Sequence, residues 1–534
     1  MNKIKWLLIL LVIFLGRCAY YPPAPSVSEL GPDIRIGIAE QLNGLSFETN
    51  GPIAIWDQHD QLLVDNASSR RWRVVLADAA PVTILYRLLH REVDNAEVGR
   101  QVIDNLERRG IFATIKTIQR RRYVNRSLQN ITYYQILLKP IFETEADARQ
   151  YQQSLAGSIS TSILPFFNER PAGRVILINE QTKEQFVSGG LLRIRGNQFA
   201  FEVKAGEGFH FEKAETRTYQ QQLEFWIDRF GKLTVVNVLP LELYLRGVVG
   251  SEMHPQFPLE ALKSQAVAAR SYTLARLGKQ HRLSPFDVCD EVHCHVYGGV
   301  GRESEAVNEA VQATAGRVLV AEDQICDAFY ASVCGGHSEH NENVWNSDPL
   351  PYLRGHADWR GGSSTLDYDL TEESQVRRWI ETRPASFCNT DGLDIPEAMN
   401  YTLRYFRWQV QYTAEELGRI IRNKTGENIG TVLEIIPQER GVSGRLKKIA
   451  VRGILKTISI SGELAIRNAL SPNYLYSSCF IAQREGQNIT LKGAGWGHGV
   501  GMCQTGAAVM ALKKYDYRQI LNHYYRNSQL IKLY

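Results

Sequence analysis

The spacing of apolar positions changes several times along the chain, and each change predicts a different element. From Ile34, IRIGIAE alternates in the manner of a strand, and the stretch to Leu63 divides into short segments of the same kind. Between Arg174 and Leu245, RVILINEQ, LLRIRG, FAFEVKAG, QLEFWIDRFG and LTVVNVLPLELYL repeat the pattern, parted by glycines and polar turns. A β-rich platform is expected there. The period then becomes helical. Leu259, Leu262, Ala266, Ala269, Thr273 and Leu277 recur on one face, and Gly278 is a stop. Pro258 suits the first turn, since its φ is already helical and its missing N–H would have had no partner.

Further on, 371–400 passes from helix to a loop with Pro and Asp and reads as an interruption. Strands are expected again from YTLRYFRWQVQYT at Tyr401, a helix over 414–423, and strands from Thr431. The tail over 505–525 is helical, with Ala507, Met510, Ala511, Ile520, Leu521 and Tyr524 as core.

One segment repeats. LYRLLHREVDNAEVGRQVIDNL from Leu85 and YQILLKPIFETEADARQYQQSL from Tyr134 align at an offset of 49 residues, with Leu88 over Leu137, Arg100 over Arg149 and Leu106 over Leu155. Each copy reads as strand, acidic turn and amphipathic helix, so paired βαβ units are expected. The fold class is therefore α+β: a β-rich domain with packed helices over 34–70 and 174–534, interrupted at about 363–399, plus an α/β repeat module inserted over 71–165.

The N-terminus adds a destination. Lys3 and Lys5 precede an apolar run from Trp6 to Leu15, which has the charge and length of an export signal and is short for a membrane span. Cys18 after LGR makes 1–18 resemble a lipoprotein signal with Cys18 as the lipidated residue, although Arg17 stands where a small residue is usual. An uncleaved anchor is the alternative, and either places the protein outside the cytoplasm. The Pro-rich stretch to about residue 33 reads as a linker. Lys and Arg number 61 against 57 Asp and Glu. That balance, with no basic tract interleaved with aromatics beyond Arg120 to Arg126, gives no case for a nucleic-acid partner.

Candidate chemistry begins at Glu252, in VGSEMHPQFPLEALKSQAVAARSY. It is expected on a turn between the strand platform and the helix, a position from which a scaffold presents a functional group. Cys289, His293 and Cys294 form a C-x3-H-C group, and thiolate with imidazole is a zinc ligand set. His281 lies upstream at a suitable distance for the fourth ligand, with His295 and Cys334 as competitors. A loop disulfide is the rival reading.

LPLELYLRGVVGSEMHPQFPLEALKSQAVAARSY from Leu239, DVCDEVHCHVYGG from Asp287, CGGHSEHNENVW from Cys334 and GAGWGHGVGMCQTGA from Gly493 together resemble the SpoIID/LytB family of bacterial cell-wall proteins. The repeat is similar to SPOR domains, which bind peptidoglycan glycan strands. The family divides between peptidoglycan lytic transglycosylases and non-catalytic amidase enhancers, which act with an N-acetylmuramoyl-L-alanine amidase. For the former, the resemblance implies Glu252 as a single acid and base that leaves a 1,6-anhydro sugar, and one structural zinc bound by two Cys and two His. It also implies that His337, Glu339, Trp496, His498 and Gln504 contact sugar. Many members have Ser at the position of Cys503.

Overall fold

The computed structural model describes residues 30–124, 127–205, 213–345, 347–359 and 368–534, with the side chains of 120–128 also left out. The expected signal, Cys18 and most of the linker lie outside the described residues, as does part of the Arg120 to Arg126 run. The chain opens with five strands, β1 (Asp33–Leu42), β2 (Gly44–Thr49), β3 (Ile53–Trp56), β4 (Leu62–Ala67) and β5 (Arg71–Ala77). A second group follows: β6 (Ile84–Val93), helix α1 (Ala96–Arg108), β7 (Ala113–Val124), β8 (Ser127–Leu138), helix α2 (Glu145–Ser154) and β9 (Ser162–Phe167). Then come β10 (Arg174–Asn179), β11 (Gln185–Gly189), β12 (Leu191–Ala205), β13 (Lys213–Ile227) and β14 (Leu233–Pro240). Helices α3 (Leu241–Glu252) and α4 (Leu259–Arg276) and the short β15 (Val288–Cys289) complete the part that frames the site.

The first and third groups form one sheet in the order β11-β10-β5-β2-β12-β13-β14-β1-β15, with β3 joining β12 to β4. Its pairs are antiparallel except β1 with β15. β5 belongs here, paired with β2 and β10 around the fully buried Trp72. The segment 71–77, expected to open the insertion, is therefore part of the large sheet.

The repeat builds its own sheet, β7-β8-β6-β9, with Leu88, Leu106, Ala113, Ile136 and Leu138 as a separate small core. The two copies are capped alike. Asn95 accepts from the N–H groups of Glu97 and Val98, and Thr144, again 49 residues on, accepts from Asp147. Such caps satisfy N–H groups that the first helical turn leaves open.

Two expected strands are helical. LELYL was expected to continue β14, but Leu241, Tyr244, Leu245, Val248 and Val249 are buried along one stripe of α3. Their spacing is that of a helix face, and Pro240 closes the strand by holding Leu239 extended before it. As a result Glu252 ends α3, where a free turn was expected. Likewise Tyr401–Phe406 lies in a 3-10 turn and a short helix, and the strand begins only at Trp408.

α4 is buried nearly all round, beyond the single face its spacing predicts, because α3, the helices Glu305–Ala313, Gln504–Leu512 and Tyr517–Tyr524, and the strand Arg317–Ala321 surround it. Ala266 to Ala269 let these neighbours approach. The expected interruption is also packed in: Val376 and Trp379 of the helix Glu373–Glu381 join Cys479, Ile481 and Ala494 in a buried cluster. Among the described residues no helix is long and apolar enough to cross a membrane.

Candidate active site

Glu252 is placed by close packing around α3. A Cβ at Gly250 would lie 1.9 Å from the Arg302 carbonyl, so only glycine lets the loop over 296–302 press against the helix. That loop is pinned by Gly298 N–H donating to Ser251 Oγ at 3.0 Å. It delivers the Val296 N–H to Glu252 Oε1 at 3.0 Å. From the other side Gln504 Nε2 donates to the Glu252 carbonyl at 3.3 Å.

Around the carboxylate the polar groups are incompletely matched. The Tyr330 hydroxyl lies beside it yet has no hydrogen bond of ordinary geometry, and neither do the buried His295 Nε2 and Gln265 Nε2. His295 stacks on the Tyr330 ring, and Gln265 Oε1 accepts from Gln504. Buried polar atoms are nearly always satisfied, so unmatched ones in the residues that adjoin Tyr330 and Gln504 suit a ligand or water. Burial raises the Glu252 carboxyl to about 7, against the lowering effect of Val296, Tyr330 and Gln504. No other charged group of the described residues shifts it. A carboxyl that titrates near neutrality can give and take a proton.

His498 meets the backbone of Tyr330, the neighbour of Glu252. The pair of strands Tyr330–Ala331 and Met502–Cys503 runs parallel, and a Cβ at Gly501 would lie 2.0 Å from the Phe329 carbonyl, so glycine is required where the WGHGVG loop meets Tyr330. His498 accepts from the Val500 N–H through Nδ1, and burial pushes its ring down to about 3, leaving it neutral. Its ring meets the edge of Trp345 at 4.9 Å, and Trp345 stacks on Phe329 at 4.0 Å with 20° between planes. Trp345 is 40% exposed. Together they form an aromatic shelf next in sequence and space to Tyr330, which adjoins Glu252. Trp345 and Tyr330 were not singled out from the sequence, although Trp345 ends the CGGHSEHNENVW stretch.

The other four residues expected to contact sugar each have partners within the protein. Glu339 is 1% exposed, with one carboxylate oxygen accepting from Ser443 N–H and Oγ and the other from His340 N–H and Asn343 Nδ2. It holds a loop, and its oxygens are used. Gln504 is buried too, and holds the Glu252 backbone. His337 bonds its own loop through Nδ1 and the Ser338 carbonyl at 2.7 Å. Trp496 stays half-buried, with its ring 4.2 Å from that of Tyr405.

His281, Cys289, His293 and Cys294 gather as expected, their ligand atoms all within 4.8 Å of one another, so this cluster could hold a metal. His281 Nε2 is 3.2 Å from Cys294 Sγ, and His293 Nδ1 is 3.5 Å from it. The competitors are elsewhere: His295 faces Tyr244 and Tyr330, and Cys334 is in another cluster. The seven described cysteines are free thiols. Surface hollows at Arg70, Glu180 and Gln181 are open and charged and lie on the large sheet, away from these groups.

A family model described as stage II sporulation protein, SpoIID, matches residues 229–320, and a domain of unknown function, DUF8618, matches 339–501. The chain is 30% identical over 299 residues to an uncharacterized protein of Brachyspira hyodysenteriae, covering 56% of this chain and 68% of that one. It is 27% identical over 302 residues to an amidase enhancer of Bacillus subtilis, covering 54% of this chain and 40% of that protein. Stage II sporulation protein D of Bacillus amyloliquefaciens is 27% identical over 306 residues, with 54% and 74% covered. The chain belongs to the SpoIID/LytB family.

Proposed function

We propose that this chain is an exported peptidoglycan lytic transglycosylase in which Glu252 is both acid and base. The protonated carboxyl gives its proton to the glycosidic oxygen as the bond from the anomeric carbon breaks. The resulting carboxylate takes the proton of the sugar's own C6 hydroxyl, whose oxygen closes on the anomeric carbon. No water enters, the product is a 1,6-anhydro-N-acetylmuramic end, and the proton returns to Glu252. Ordinary glycosidases need two carboxylates about 5–10 Å apart, one of them to attack or to activate water. The observation that carries the proposal is a carboxyl at about 7 beside the unmatched Tyr330 hydroxyl, shifted by no second charge of the described residues. The exposed Trp345 beside His498 offers an apolar ring face of the kind that packs on sugar.

Zinc at His281, Cys289, His293 and Cys294 fits this reading as a structural ion, since four protein ligands leave no open position. Its work would be to fix the loop that ends in Val296, the donor to Glu252. Export and a lipid anchor at Cys18 would place the site at the cell envelope.

The similarity to an amidase enhancer keeps a second reading, in which the protein binds wall and an amidase without cutting. Incubating the purified protein alone with isolated glycan and analysing the products separates the two. Anhydro-muropeptides released by the wild type and lost in Glu252→Gln are expected. No release by the wild type, with stimulation of an added amidase, would instead establish the enhancer.

A further inference from the structure

A second group of ligating side chains lies behind the WGHGVG loop. Cys334, Asp358, Cys388 and Cys503 come from four separate stretches of chain, all are buried, and their ligand atoms lie within 4.8 Å of one another. Cys334 Sγ is 3.4 Å from Cys388 Sγ and 3.4 Å from Asp358 Oδ2. We propose that these three thiols and one carboxylate are a second metal site, for a single thiophilic divalent ion of the zinc class, which clamps the wall of the Glu252 pocket from behind.

The chemistry of the donors carries the assignment. Apolar packing explains a buried cysteine, but not a fully buried carboxylate turned toward three sulfurs. Asp358 Oδ1 accepts from His523 Nε2 and Tyr524 Oη, each at 3.0 Å. Oδ2 is thereby aimed at the thiols, and no Lys or Arg of the described residues pairs with it. Outer hydrogen bonds that orient a ligand in this way are usual around metal sites. The sulfurs are also prepared as acceptors. Cys503 Sγ accepts the N–H groups of Cys334 at 3.2 Å and Gly506 at 3.4 Å, and Cys334 Sγ accepts that of Gly336 at 3.4 Å. Cys503 also caps the helix Gln504–Leu512 through its sulfur, which fixes that sulfur in place.

The size fits as well. Zinc–sulfur bonds of about 2.3 Å put the corners of a tetrahedron about 3.8 Å apart. Two of the separations are 3.4 Å and all lie within 4.8 Å, close to what a bound ion would require. Three thiolates and a carboxylate would leave a divalent site negative, and two guanidiniums border it: Arg445 donates to the Cys334 carbonyl at 3.2 Å and Arg407 to that of Gly335 at 2.9 Å. A disulfide between Cys334 and Cys388 would use two of the four groups and deprive the buried Asp358 Oδ2 of the Cys334 thiol that now faces it. The site touches the pocket through its neighbours in sequence, since Gln504, next to Cys503, holds the Glu252 carbonyl. The assignment is independent of whether Glu252 cuts glycan.

The test is zinc content of the purified full chain, with thiol titration under denaturing, chelating conditions. Two zinc ions per chain are expected in the wild type, one in Cys289→Ser/Cys294→Ser, and one in Cys388→Ser. All seven of the cysteines from Cys289 to Cys503 should titrate as thiols. A Cys289→Ser/Cys294→Ser protein that holds no zinc would overturn the site. So would five titrating thiols and a chain 2 Da lighter, the mark of a disulfide. Should that double variant fail to fold, Cys388→Ser decides, because a zinc content equal to that of the wild type rules the second site out.

Discussion

The two ends of α3 carry the same side chain in opposite circumstances. Glu242, in the first turn, is held by both nitrogens of a bidentate Arg270 fork at 2.7 and 2.6 Å, by the Gly316 N–H and by the Tyr534 hydroxyl. Glu252, at the last residue, has one backbone N–H on its carboxylate and no cation. The helix dipole widens the gap, since negative charge is favoured at the N-terminus and disfavoured at the C-terminus. Burial alone therefore does not distinguish a structural carboxylate from a reactive one. The count of partners does: Glu242 is held by Arg270 and so ties α3 to α4, and Glu252 is left poised between its two protonation states.

The sharpest way to break this contrast is to neutralise each end in turn. Glu252→Gln keeps an oxygen for the Val296 N–H and removes only the titrating group, so release of anhydro-muropeptides should fall by about 10²–10⁴-fold, the range for a general acid–base group. Activity within a few-fold of wild type would end the assignment. At the other end Arg270→Met leaves Glu242 buried without its cation, which should cost about 3–5 kcal/mol in denaturant unfolding. Adding Glu242→Gln should recover much of that loss. If the single variant costs under about 1 kcal/mol, Glu242 does not depend on its partner and the comparison fails.

A third experiment uses pH. With its folded value near 7 against 4.5 for a free carboxyl, Glu252 favours the folded protein fully below about pH 4.5, and that contribution is lost as pH rises through 7. Glu252→Gln cannot lose it. The variant should therefore unfold at higher denaturant than the wild type at pH 8, by at most about 3 kcal/mol and less where solvent screens this half-buried residue, with the difference shrinking toward pH 4.5. A variant that is less stable at pH 8 would show that the native carboxylate is already satisfied.

How much of this was legible in the sequence follows from the range of the interactions. The repeat was readable because its strands, helices and caps are set by local spacing, down to Asn95 and Thr144 at equivalent places. The zinc-type ligands of 281–294 were readable for the same reason, lying within one loop. The start of α3 was also present in its apolar stripe, but β-branched residues before Pro240 drew LELYL into the strand. The partners of Glu339 were not legible, because Ser443 lies about a hundred residues away. Cys334, Asp358, Cys388 and Cys503 share no spacing at all, and only the fold assembles them.

The smallest expected effect separates binding from chemistry within the pocket. Trp345 is exposed where Glu252 is half-buried, and among the described residues its ring contacts are His498 and Phe329. It can offer a sugar a ring face, an interaction worth about 0.5–1.5 kcal/mol, and it has no proton to exchange. Trp345→Ala should accordingly raise KM for glycan by about 2- to 10-fold and leave kcat nearly unchanged, whereas Glu252→Gln acts on kcat. Because Phe329 lies under the indole, the change also uncovers apolar surface, so a stability measurement belongs beside the kinetics. A fall in kcat of the size expected for Glu252→Gln, in a protein of normal stability, would mean that the aromatic shelf shapes the reacting geometry and that the division between a binding surface and a single chemical group is wrong.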